Sequence, residues 1–187
     1  MFQFGWAVLT GTNGGLRPLD CTTPPKLKNG ATIQIYIEQK PGVYIYLYLL
    51  DSSGEVDFLF PGEKDFYSKV EPAERIFRLP ADTDQFELTP PGGQEKLYLL
   101  AAAQRLTRLE EVTALFLDQP ADPLRKEAVI RELKRLRQEH SSLAQTTETS
   151  VPVAGTVRSR GVLFESFEAT RVSAAGFYSR ILRIDHD

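Results

Sequence analysis

The sequence predicts a mostly β, α+β domain: an antiparallel β-sandwich or partly open barrel with two helices inserted after the main strands. Three observations carry this expectation. Apolar residues recur with a period of two through roughly the first hundred positions. Pro and Gly clusters such as Pro24-Pro25, Pro61-Gly62 and Pro90-Pro91-Gly92-Gly93 separate the apolar runs, as turns separate short antiparallel strands. Helical periodicity is confined to residues 107–140.

Taken in order, "FQFGWAVL" (2–9) is a short aromatic-rich strand, and the Gly, Thr and Asn of residues 10–15 read as a loop. "LDCTTPPKLKNG" is an extended connector, because Pro24-Pro25 excludes helix and disfavours a central strand. "ATIQIYIEQ" alternates, with Ile33, Ile35 and Ile37 on a buried face and Gln34, Tyr36 and Glu38 on a wetter one. In "VYIYLYLL", Val43, Ile45, Leu47 and Leu49 share one face, while Tyr44, Tyr46, Tyr48 and Leu50 share the other. Neither face is polar, so this strand should be covered on both sides. The Asp51-Ser52-Ser53-Gly54 turn then returns the chain as "EVDFLF", with Val56, Phe58 and Phe60 facing the core. "AERIFRLP", "DQFELTPPGGQ" and "EKLYLLAAAQ" supply further strands.

At Thr107 the period changes. Thr107-Arg108-Leu109-Glu110 has the pattern of a capping box with Thr107 as N-cap. The helix that follows places Leu109, Val112, Leu115 and Phe116 on one stripe. Asp122-Pro123 opens a second helix as N-cap and N1, with Val129, Leu133 and Leu136 inward and Arg125, Arg131 and Arg135 outward. Residues 141–155, rich in Ser, Thr and Gln at their start, read as a mobile linker. "GVLFESFEATRV" and "AGFYSRILRI" should then pair as a hairpin. The whole forms one domain over 1–187, with a β core at 1–104 and 160–187 and a helical insertion at 107–140.

Composition narrows the function classes. A chain of 187 residues buries about 70% of its unfolded surface and needs no covalent staple. A net charge of −3 is too slight to make nucleic acid or an anionic membrane the main partner. The single cysteine, Cys21, excludes an intrachain disulfide and multi-cysteine metal sites. The first twenty-one residues start apolar and end at cysteine, yet they lack a basic leading region, and Asp20 stands where lipoprotein cleavage needs a small residue. They read as a strand. No run reaches the length of a membrane helix.

Groups for catalysis are scarce. His140 sits at a helix end, where the dipole alone favours a cation, and His186 is penultimate; neither shows a sequence neighbour that would tune it as a base. No G-x-S-x-G elbow frames a serine, and Ser166 lies in a strand without a local base. Cys21 beside Asp20 has the wrong neighbour for an activated thiolate. Asp51, Glu55 and Asp57 surround a turn but do not wrap an ion. "TGTNGG" lacks the Gly-Lys-Ser/Thr end of a phosphate loop. The basic face of "RKEAVIRELKRLR" is interrupted by Glu127, Glu132 and Glu139 and reads as solvated. No cofactor or metal is expected. Trp6, Tyr44, Tyr46 and Tyr48 are the candidate binding residues, because aromatic side chains on a sheet face can stack on sugars, bases or peptides. For the tyrosines, packing is favoured, with their hydroxyls reaching the rim of the core.

The order of these pieces resembles the bacterial domain-of-unknown-function family 4384. The resemblance rests on Gly30 before a strand, Tyr44 to Tyr48, the turn Asp51 to Gly54, Leu59-Phe60-Pro61, and the step Pro91, Gly93, Glu95. "FGWAVL" and "GFYSRILRIDH" are similar to the family's flanking strands, which extends the likeness over most of the chain. Asn29 before Gly30 departs from the family's Gly-Asp step. The resemblance implies a β-rich domain of bacterial proteins, found in exported or lipid-anchored chains or beside peptidase and signalling domains, with no catalytic residues assigned.

These readings converge on a non-enzymatic binding or interaction module with a protein or peptide partner, no nucleic acid and no membrane insertion. Its location is the periplasm or cell envelope if an export signal has been removed, and otherwise the cytoplasm. A small-molecule or glycan binder using the aromatic face is the alternative, and a cysteine hydrolase the remotest. The oligomeric state stays open.

Overall fold

The computed structural model describes residues 1–12, 15–20, 23–80, 85–141, 145–154 and 166–187. Two sheets pack face to face as a sandwich. The first takes β10 (Thr146–Ala154), β11 (Ser166–Ala174), β1 (Phe2–Thr12), β4 (Thr32–Gln39) and β7 (Arg75–Leu79) in that order. Beside β1 lies β2 (Gly15–Pro18), and beside β4 lies β8 (Phe86–Glu87). The second sheet runs β3 (Lys26–Leu27), β12 (Phe177–His186), β9 (Gly93–Ala102), β5 (Tyr44–Leu50) and β6 (Val56–Phe60). Strands pair antiparallel except β12 with β3.

Alternation decides what each face buries. Phe4, Trp6 and Val8 of β1, the three isoleucines of β4, Ile45 and Leu47 of β5, and Leu97 and Leu99 of β9 fill the space between the sheets. The opposite face of the second sheet meets the helices. Tyr46, Tyr48, Tyr98 and Leu100 pack there on Leu109 and Phe116 of α2 (Thr107–Asp118) and on Val129, Leu133 and Leu136 of α3 (Pro123–His140). Strand β5 is therefore covered on both sides, as its lack of a polar face requires.

Several local expectations give way to packing. Between β5 and β6 the register slips, pairing Leu47 with Phe60 but Tyr48 with Phe58. The extra residue, Leu59, flips the strand end, so Val56 and Phe58 face the helices while Phe60 enters the inter-sheet core. On β4 the face expected to be wet is dry at Gln34 and Tyr36; Tyr36 packs on Phe167 of β11 and Gln34 accepts from Arg78. Leu115 points to solvent, and Thr113 takes its inward place on α2.

The final two strands do not form a hairpin. β11 joins the first sheet and β12 the second, because the turn at Ala175-Gly176 crosses between sheets, held by Ala103 N–H donating to the Gly176 carbonyl. The stretch read as a linker supplies β10, paired with β11 over its full length; its threonines and valines suit an extended backbone. Residues 142–144 and 155–165, including the expected "GVLFE", lie outside the described residues. A third helix, α1 (Phe66–Lys69), is a single turn, too short to leave a helical period in the sequence. Its Tyr67 does specific work. β6 ends opposite Leu47, and the Tyr67 hydroxyl accepts from Ile45 N–H at 3.1 Å and donates to the Ile45 carbonyl at 2.9 Å. A phenol there completes the strand's hydrogen bonding.

Asp122 caps α3 as expected, accepting from Leu124 N–H. Thr107 does not cap α2: it is the first helical residue, and Leu106 at the N-cap offers no side-chain acceptor. The Tyr46 hydroxyl replaces the cap, accepting from Leu106 N–H at 3.0 Å and donating to Glu110 Oε1 at 2.6 Å. Tyr46→Phe should thus cost about 1.5 kcal/mol, read as a lower urea midpoint with unchanged slope. An unchanged midpoint would show that the phenol does not anchor the helix.

Candidate functional site

The candidate aromatic residues do not assemble into one platform. Tyr46 and Tyr48 are sealed beneath α2, the latter with its hydroxyl 2.8 Å from Thr113 Oγ1. Their hydroxyls reach the helix, not the rim. Tyr44 is half-buried at the margin, donating to Glu71 at 3.2 Å. Trp6 lies on the other sheet, in the other core. Burial holds the hydroxyls of Tyr46 and Tyr48 far above the ordinary phenol range, and it pushes Tyr67 up to about 12.

Trp6 borders a cleft at a break in the first sheet. β1 pairs with β11 from Phe2 to Trp6, and with β2 only from Leu9 onward. Where its neighbour changes, the sheet splits and leaves a cleft of about 390 Å³. Trp6, Pro18, Ser150, Thr170 and Glu168 line it from the first sheet, and Arg180 closes it from β12. Trp6 is 5% exposed, and its indole N–H has no hydrogen-bond partner among the described residues. The Arg180 guanidinium lies 5.5 Å from the centre of the indole ring, within cation–π range. Glu148 on β10 holds that guanidinium at 2.5 Å and accepts from the Tyr178 hydroxyl at 2.8 Å. Burial and then the Glu148 charge raise the Tyr178 phenol well above its usual range. Glu168 accepts from Ser150 Oγ at 2.7 Å, and Asp20 also lines the cleft. Of these residues only Trp6 was singled out from the sequence. The others come from strands far apart in the chain, and Glu148 stood in the presumed linker.

Beside the cleft runs the outer edge of β10. Gln145 accepts at its carbonyl from Ala175 N–H, so odd-numbered residues of β10 turn their backbone groups toward β11, and even-numbered ones turn away. Thr146, Glu148 and Ser150 thus direct N–H and C=O outward, with no strand beyond them among the described residues. Pro152 falls on the same outward parity, where its missing N–H interrupts no ladder.

The histidines behave differently from expectation. His186 is buried, with Nε2 2.8 Å from Glu95 Oε1 and Nδ1 2.8 Å from Asn29 Oδ1. It thus has close polar neighbours, brought together from β12, β9 and the turn before β4. His140 stacks on Phe177 at 4.2 Å at the end of α3. Cys21 lies outside the described residues, and Ser166 is exposed at the start of β11. Asp51 is engaged in its own turn: its Oδ1 accepts from Ser53 and Glu55 N–H, while Glu55 pairs with Lys126. Among the described residues no three His, Cys, Asp or Glu side chains converge as metal ligands, and no helix is long and apolar enough to cross a membrane.

The fold defines a two-sheet antiparallel sandwich domain with a helical layer over one sheet. Residues 26–105 match the model of the family described as Domain of unknown function (DUF4384), and this part of the chain is similar to that family. The match takes in β3 to β9 and stops short of β1, β2 and β10 to β12, a narrower extent than the motifs suggest. No curated protein and no solved structure matches the chain. Asn29 and Glu95 lie inside the matched segment, whereas His186, which joins them, lies beyond it.

Two outcomes follow from this geometry. His186→Ala leaves the buried Glu95 side chain without its hydrogen-bond partner and should destabilise the domain by about 2 kcal/mol; an unchanged melting temperature would remove His186 from the list of structural ties. In alkali, unfolded tyrosines ionise near pH 10, while Tyr46, Tyr48, Tyr67 and Tyr178 stay protonated in the fold. Their stabilisation is complete below pH 10 and is lost above it at about 1.4 kcal/mol per pH unit for each, read as a falling urea midpoint between pH 9 and 11.5. A flat midpoint would mean that the phenols are not sealed.

Proposed function

We propose that this domain is a non-catalytic interaction module of a bacterial envelope-associated or signalling protein, which recognises an extended segment of a protein partner by strand addition to β10. The observation that carries the reading is the outward row of backbone donors and acceptors at Thr146, Glu148 and Ser150. Such a row is a template for another strand, and strand addition is a recurring mode of peptide recognition in which backbone hydrogen bonds supply affinity. Pro152 limits the usable edge to its first half, and the charge of Glu148 discourages indiscriminate pairing.

Selection of random linear peptides displayed on phage tests it. Peptides enriched on the wild-type domain should bind Ser150→Pro about tenfold more weakly or worse, since that change deletes an outward donor, and Thr147→Ala should leave binding unchanged. Enriched peptides that bind the folded Ser150→Pro variant as well as wild type would end the strand-addition reading.

A further inference from the structure

We propose that the segment received by β10 carries a lysine or arginine at the residue facing Ser150, and that the cleft beside Trp6 receives this side chain. The inference rests on strand addition at that edge and adds the chemistry of the partner. Ser150 pairs with Thr170, and Thr170 with Trp6, so these three residues form one row across the first sheet. Residues directly opposite one another share a face. A residue of the added strand facing Ser150 therefore extends this row and enters the cleft from its open side.

Charge selects what enters. Among the described residues, Glu148 and Glu168 line the cleft together with Arg180, which Glu148 already holds. Glu168 is exposed and adjoins Ser150 through a hydrogen bond, within reach of a long basic side chain that lays its methylenes over Ser150. The volume of about 390 Å³ is ample for such a side chain. An acidic side chain would meet the like charge of Glu168 there. A second copy of this chain is a poorer occupant, because the β10 sequence TTETSVPVA brings another glutamate and no base.

The probes are acetylated and amidated nonapeptides of alternating threonine and valine with lysine, alanine or glutamate at the centre. They are titrated into the full chain by calorimetry and by the emission of its only tryptophan, Trp6. A cation near Glu148 competes with Arg180 for that carboxylate, so the lysine peptide should alter Trp6 emission. It should bind about fivefold more tightly than the alanine peptide, with the glutamate peptide weakest. Glu168→Gln and 0.5 M salt should erase the preference (at this ionic strength, screening acts over roughly 4–5 Å). Equal binding of all three peptides, or a lysine preference that survives Glu168→Gln, overturns the basic-residue inference and leaves strand addition standing. Binding by none of them overturns both, as does a dimer in sedimentation that Ser150→Pro abolishes.

Discussion

Burying both faces of β5 is the constraint around which the domain is organised. Its aliphatic face interlocks with the first sheet at little polar cost. Its tyrosine face carries hydroxyls into a region without solvent, where an unpaired polar group is expensive. The layer above supplies their partners: Tyr46 takes the place of a helix cap and reaches Glu110, and Tyr48 meets Thr113. Tyr67 arrives from α1 and satisfies the backbone at Ile45, where β6 has ended. The helical pair is thus positioned by polar satisfaction as well as by apolar contact, which explains why α2 turns Thr113 inward and Leu115 outward against its hydrophobic pattern.

The same economy shapes the opposite side of the sandwich. On the side of β1 away from β4, β11 covers its first half and β2 its end, and the change of partner opens the cleft. Trp6 falls at that junction, with Arg180 across its ring and Glu148 behind. The cleft and the outer edge of β10, beyond which no strand lies among the described residues, are two consequences of one topology: β10 pairs on β11, and its even-numbered residues contribute side chains to the cleft while their backbone groups face outward. Strands outside the DUF4384-like segment build this entire region, as they also contribute β12 and His186 to the second sheet. The matched segment therefore contains neither the cleft nor the edge.

How far these features could be read from the chain depends on how local their causes are. The β5–β6 hairpin, the two long helices and the apolar stripe of α3 follow from periodicity and turn residues a few positions apart. β10 was missed because a Ser/Thr-rich run has the composition of a linker, and only β11, some twenty residues on, makes it a strand. The pairing of β11 and β12 was misjudged because a two-residue turn permits a hairpin and a crossing between sheets equally well. Which occurs depends on Ala103 and Gln145, remote positions that hold the crossing. For the candidate site, aromatic character pointed to Trp6, but nothing near it in sequence indicates Glu148, Glu168 or Arg180.

By itself, the sequence determined the two-layered β character, the double burial of β5 and the helical cover, since each follows from side-chain alternation and local conformational preference. Tertiary structure alone decided which phenol caps which helix, where the sheet splits, and which histidine is enclosed. Those outcomes depend on which backbone and side-chain groups remain unpaired once the layers close, a condition that exists only in three dimensions.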